Sequence, residues 1–149
     1  MKVFDVRSII FAKHAQHVVL IHFPIALCVA GVAFDLVAQL KRNRVLAEVA
    51  YYNLLVAAIS TVPVLATGLL AWHFQLVGQR LKGVLLFHLV LAIMASSLIW
   101  IVITLHWRAR RDPELRLPGY RIPVELVTVA CIILTAHLGG ILSGVNAPS

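Results

Sequence analysis

The chain has 149 residues, 61% of them hydrophobic and only 13% charged, with a formal net charge of +7. A soluble domain is about one-quarter charged, and a mean hydropathy of +0.94 is too high for a soluble core of this size to hide, so the bilayer is the natural solvent. These bounds exclude a soluble domain of useful size. They also exclude nucleic acid as the partner of the basic residues, which sit at the ends of apolar stretches where lipid headgroups and topology use them.

The chain begins with a basic segment that sets Lys2, Arg7 and Lys13 among Val3, Phe4, Ile9, Ile10 and Phe11. That mixture predicts a short amphipathic piece along the interface. The apolar run behind it is too long for a signal peptide's apolar region and has no clean small-x-small cleavage site. A first span is predicted over residues 15–40. Its proline, Pro24, removes one helix donor and is expected to bend the helix near Leu20 and Ile21. Asp35, near the far end, reads either as an interfacial carboxylate paired with Arg42 or Arg44 or as part of a proton path.

A second span is predicted over 47–72, with Asn53, Ser60, Thr61 and Pro63 on a face turned inward. A third covers 83–105. A basic loop follows at 106–123, where Pro113, Pro118 and Gly119 break any helix, and a fourth span covers 124–144. The predicted fold is therefore all-α: an integral membrane four-helix bundle, up-down-up-down, one membrane domain over residues 1–149 with no soluble domain. Cys28 and Cys131 read as buried small hydrophobes, and no CxxCH is present for covalent haem.

Four spans put both termini and the second loop on one side. That side carries Lys2, Arg7, Lys13, Arg80 and Lys82, while the first and third loops carry Lys41, Arg42, Arg44, Arg108, Arg110, Arg111, Arg116 and Arg121. The positive-inside rule then places those two loops in the cytoplasm and both termini in the periplasm of a bacterial inner membrane. Trp72 and Phe74 at one face, and Trp107 and Tyr120 at the other, fit interfacial aromatic belts.

Six of the seven histidines fall toward the terminal side. His22, His88 and His137 lie at similar depth in three different spans, within about two helical turns of one another. An intramembrane histidine is costly unless something holds its nitrogens, and neutral imidazole is the usual ligand of haem iron and of many transition metals. First and third spans are diagonal in such a bundle, so His22 and His88 are the candidate metal ligands. His137 is a candidate for a haem propionate, a quinone oxygen or a place as substitute ligand, and His17 completes the cofactor-binding set. Each of these also reads as a histidine bonded only to a neighbouring helix. His14, His73 and His106 read as interfacial. On the last span, Ala136, Gly140 and Gly144 form a small-xxx-small line that permits close packing or leaves room for a flat ring.

The HxxxxHFP formed by His17, His22, Phe23 and Pro24 resembles the opening signature of a family of small bacterial membrane proteins, domain of unknown function 2231. His88 and the HLGG of His137 to Gly140 resemble its later signatures. The resemblance covers nearly the whole chain and implies a four-helix membrane protein. Some members are fused to a Rieske-type iron–sulfur domain, which implies electron transfer by association. The acidic residue expected after the second-span glycine is missing here, where the run is Gly68, Leu69, Leu70, Ala71, Trp72. The valine–tyrosine expected after HLGG is replaced by Ile141, Leu142 and Ser143.

Three functions follow as expectations. The first is a membrane electron-transfer subunit with a histidine-ligated b-type haem, or a quinone site, near the outer face. The chain is too small for a whole oxidoreductase, so it would work within a larger membrane complex, more as a redox or structural subunit than as a stand-alone enzyme. The second is a cofactor-free structural or assembly subunit. The third is a metal-ion or proton carrier using the same histidines, set last because Asp35 and Glu125 lie toward the opposite face. No phosphate-binding Gly-rich loop, nucleophile elbow or HExxH is present.

Overall fold

The structure is a computed structural model and describes residues 13–75, 80–111 and 118–144. The amphipathic piece expected at the N-terminus falls almost wholly outside these residues. Five helices follow one another: α1 (Lys13–Leu20), α2 (His22–Lys41), α3 (Arg44–Gln75), α4 (Gly83–Arg111) and α5 (Arg121–Leu142), with no strand among the described residues. They make four candidate membrane spans, Gln16–Lys41, Arg44–Phe74, Gly83–Arg111 and Arg121–Leu142, the first built from α1 and α2. The expected all-α, four-span bundle is the observed architecture.

The interruption between α1 and α2 has a simple origin. Pro24 has no amide hydrogen to give Leu20, and α1 ends at Leu20 with Ile21 as a single turn residue before α2 begins. Pro63 does not break α3, which runs for 32 residues. Its own carbonyl is occupied by the Thr67 hydroxyl at 2.8 Å.

The hairpin between α2 and α3 takes only two residues. Arg42 adopts a left-handed conformation (φ 49°) that closes α2, and its amide and that of Asn43 return to Gln39 and Ala38. Asn43 then caps α3, its Oδ1 accepting the amides of Val45 at 2.9 Å and Leu46 at 3.2 Å. Asn43→Ala removes that cap and is expected to lower stability by about 1 kcal/mol in a thermal-unfolding measurement in detergent.

α2 and α3 pack along most of their length, as do α4 and α5; α3 also meets α4, and α2 meets α5, so α2 and α4 stand across the bundle from each other. Small residues let the α2–α3 backbones approach. A Cβ on Gly31 would sit 2.8 Å from Leu54 Cγ and 3.3 Å from the Ala50 carbonyl oxygen, and Ala50, Leu54, Ala57 and Ala58 are fully buried. Gly31→Val is expected to cost about 1–3 kcal/mol by overpacking this seam, read by the same unfolding measurement. Across the next seam the Trp100 indole N–H donates to the Thr61 hydroxyl at 3.2 Å. Cys28 and Cys131 are free and buried.

Several helices run beyond the expected spans, α3 by three residues at each end. α4 continues six residues past Leu105 to Arg111, because its last turn is held from outside the apolar run. Arg110 pairs with Glu48 at 2.6 Å and lies 4.3 Å over the Tyr51 ring, and Arg111 lies 4.2 Å over Trp107. α5 begins at Arg121 rather than Val124, on a turn in which the Pro118 carbonyl accepts the Arg121 amide. These extensions bring His106 and Arg121 into helices.

Candidate functional site

The two ends of the bundle differ in chemistry. The terminal end carries His17, His22, His88 and His137; the loop end carries Asp35, His106, Arg121 and Glu125.

At the terminal end, His17, His22 and His88 are held by separate contacts. His22 opens α2 and is exposed, with its Nδ1–H donating to the Val18 carbonyl at 2.7 Å. His88, half-buried in α4, donates Nδ1–H to the Thr135 carbonyl of α5 at 3.0 Å. Its ring rests against Gly139, where a Cβ would come within 3.2 Å of His88 Cε1. His17 in α1 meets α3: its Nδ1 lies 3.2 Å from the Thr67 hydroxyl, which already donates to Pro63 and therefore accepts from His17. A Cβ on Gly68 would stand 2.9 Å from His17 Cε1. His137 is exposed. No hydrogen bond joins His22, His88 and His137 to one another.

Glycines flank two of these rings, though not along the line read from the sequence. Gly144 lies beyond the end of α5 with φ 78° and meets nothing, whereas Gly139 makes room for His88. Gly68→Ala is therefore expected to displace the His17 ring from Thr67 with little loss of stability, because the clash falls on the movable end of a side chain. A shifted His17 ring resonance in NMR checks this.

The loop end holds a buried ionic centre. Arg121, at the start of α5, donates Nε and Nη2 to Asp35 Oδ2 of α2, both at 3.0 Å, and Nη2 also reaches Gln39 Oε1 at 3.1 Å. His106 of α4 donates Nε2–H to Glu125 Oε1 of α5 at 2.9 Å. Exposure is 2% for Asp35, 4% for His106, 6% for Arg121 and 0% for Glu125. Asp35 therefore pairs with Arg121, 86 residues away, and not with Arg42 or Arg44. His106 is buried inside the bundle. Among the described residues, Glu125 Oε2 is the buried side-chain oxygen without a hydrogen-bond partner. Asp35, His106 and Glu125 are also the cluster of three potential metal ligands, with ligand atoms all within 4.8 Å of one another.

The helix boundary hid part of this centre from sequence reasoning. Ending the third span at Leu105 left His106 in a loop, when it lies five residues inside the end of α4. Asp35 lies six residues before the end of α2 and Glu125 four residues after the start of α5. Ionisable residues at matching depth on three spans are a readable signal for a shared site, once the spans are drawn to the basic residues that end them.

The fold and these two polar ends define an all-α protein built to cross the bilayer four times. The family model described as "Predicted membrane protein (DUF2231)" matches residues 13–146, and the chain belongs to that family. No curated protein and no solved structure shows significant similarity to it.

Proposed function

We propose that the chain is a membrane electron-transfer subunit that holds a b-type haem on His22 and His88 at its terminal end. One observation carries this reading. Both rings commit Nδ1–H to a main-chain carbonyl, His22 to Val18 and His88 to Thr135. That fixes the tautomer in which Nε2 keeps its lone pair, the arrangement typical of imidazoles that bind a metal. Such a donor set would hold a haem iron, for which two imidazoles suffice. A haem bound there would accept and release single electrons.

The chain's own residues do the rest. Thr135 orients His88 from the neighbouring span, Gly139 leaves the ring space on one edge, and the turn at Ile21 sets His22 at the start of α2. His22 follows Gln16 by six residues and His88 follows Gly83 by five, so both sit roughly 8–9 Å into their spans. His137 and His17 at the same end are the groups for a propionate or a quinone oxygen. The positive-inside rule faces this end to the periplasm of a bacterial inner membrane. A larger membrane complex would supply and take the electrons.

A pyridine haemochromogen assay on the purified protein tests this, with one b-type haem per chain expected. A folded bundle without haem, from cells replete with it, favours the second reading. That reading is a cofactor-free structural or assembly subunit, and it draws on the exposure of His22 and His137, whose rings a docked partner's polar groups would satisfy.

A further inference from the structure

The ionic centre at the loop end has no part in the histidine site, and its chemistry is unbalanced. Asp35 and Glu125 are two buried acidic side chains, and Arg121 is the one permanent cation beside them. Arg121 is committed to Asp35, which leaves Glu125 with one donor, His106, and one oxygen with none. A buried carboxylate oxygen without a partner is costly, and a buried carboxylate with no cation beside it is costlier.

We propose that Asp35, His106 and Glu125 form a binding site for a single divalent transition-metal ion. Two carboxylates and one imidazole are hard-to-borderline donors, which suit Zn²⁺, Mn²⁺ or Fe²⁺. The spacing fits. Ligands at about 2.1 Å from one ion lie ~3.0 Å apart when at right angles and ~4.2 Å apart when opposite. His106 Nε2 and Glu125 Oε1 are 2.9 Å apart, and all three ligand atoms fall within 4.8 Å, so small side-chain rotations complete the set. The ion takes the place of the proton on His106 Nε2, which leaves to solvent. Arg121 and Gln39 hold Asp35 in position from the second layer.

The site has access from its own end of the bundle. Two clefts flank the α2–α3 turn and share Arg44 and Ala47. One, of about 270 Å³, reaches His106 past Glu48 and Tyr51; the other, of about 310 Å³, reaches Asp35 and Arg121. Glu48 lines the first and is paired with Arg110 at its rim.

The test uses tag-free, full-length protein stripped with EDTA. Co²⁺ added alone is expected to give saturable visible d–d bands at one equivalent per chain, and Zn²⁺ added alone to displace it and raise the unfolding temperature. Glu125→Gln and His106→Gln are each expected to weaken Zn²⁺ binding by more than about 100-fold, since losing even a residue that merely orients a ligand costs about 10–100-fold. A His22→Ala/His88→Ala variant keeps the site, which separates this result from the fate of the haem reading. Wild-type protein with no saturable Co²⁺ bands and no Zn²⁺-dependent shift overturns the proposal. So does binding that survives both loop-end variants or vanishes in the His22/His88 variant. The wild-type titration decides even if a variant fails to fold.

Discussion

Arg121→Met lowers the stability of the bundle by about 3–5 kcal/mol, the cost of leaving a buried partner charge uncompensated. Asp35 is 2% exposed and receives both Nε and Nη2 of Arg121 at 3.0 Å. Removing the guanidinium leaves that carboxylate inside the protein with no cation beside it. Asp35→Leu alone costs a similar amount, because it strands Arg121 instead. The Asp35→Leu/Arg121→Met double variant removes both charges and returns close to wild type, since a buried ion pair is worth little more than well-packed apolar groups of similar volume. Unfolding of all three in the same detergent, by heat or by denaturant titration, checks the argument. Equal stability of the single variants and the wild type would show that water, and not the ion pair, solvates this end.

On the proposed haem reading, His88→Ala is expected to abolish the visible α-band of the reduced protein. His88 is the ring most firmly placed among those at the terminal end: half-buried, tied to Thr135 across the α4–α5 seam and lodged against Gly139. His22→Ala removes the other proposed ligand and is expected to have the same outcome, while His73→Ala, outside the proposed site, is expected to leave the band in place. Gly139→Ala gives an intermediate result. Its new Cβ meets His88 Cε1 at 3.2 Å, so the ring gives by a few tenths of an ångström and the band shifts or weakens without loss of fold. A structural subunit would show none of these changes, because it would have no band to lose.

Much of the fold was legible because lipid imposes its own grammar. Backbone polar groups inside a bilayer must be satisfied within the segment, so four long apolar runs separated by basic residues leave little choice but four helices. The interruption at Ile21 was legible for the same reason: Pro24 removes the donor for Leu20 whatever packs around it. The α2–α3 turn was legible as a position but not as a mechanism, since nothing in the run of basic residues from Lys41 to Arg44 shows that Arg42 turns left-handed and Asn43 caps the next helix. The ionic centre was hidden by sequence distance. Asp35 has Arg42 and Arg44 close by in the chain, yet Arg121 reaches it, because α2 and α5 are neighbours in the bundle. His106 was hidden by the boundary chosen for its helix, which hydropathy sets too early when the final turn is held by arginines stacked on aromatic rings.

The histidine pattern was legible as residues and not as contacts. Depth alone placed His22, His88 and His137 together, but His22 bonds back to Val18, His88 bonds across to Thr135 and His137 is exposed, and the pairings that define the end are His17 with Thr67 and Gly68, and His88 with Thr135 and Gly139. The glycines of the second span and of HLGG are the partners of those rings, a relation that no spacing rule within one helix contains.

The measurement that bears most directly on the function is a reduced-minus-oxidised visible spectrum of the detergent-purified, full-length protein from cells supplied with haem precursor. The account predicts a sharp b-type α-band. A flat spectrum from a folded four-span bundle that has lost no haem in purification would contradict it and leave the chain a structural subunit of a membrane complex.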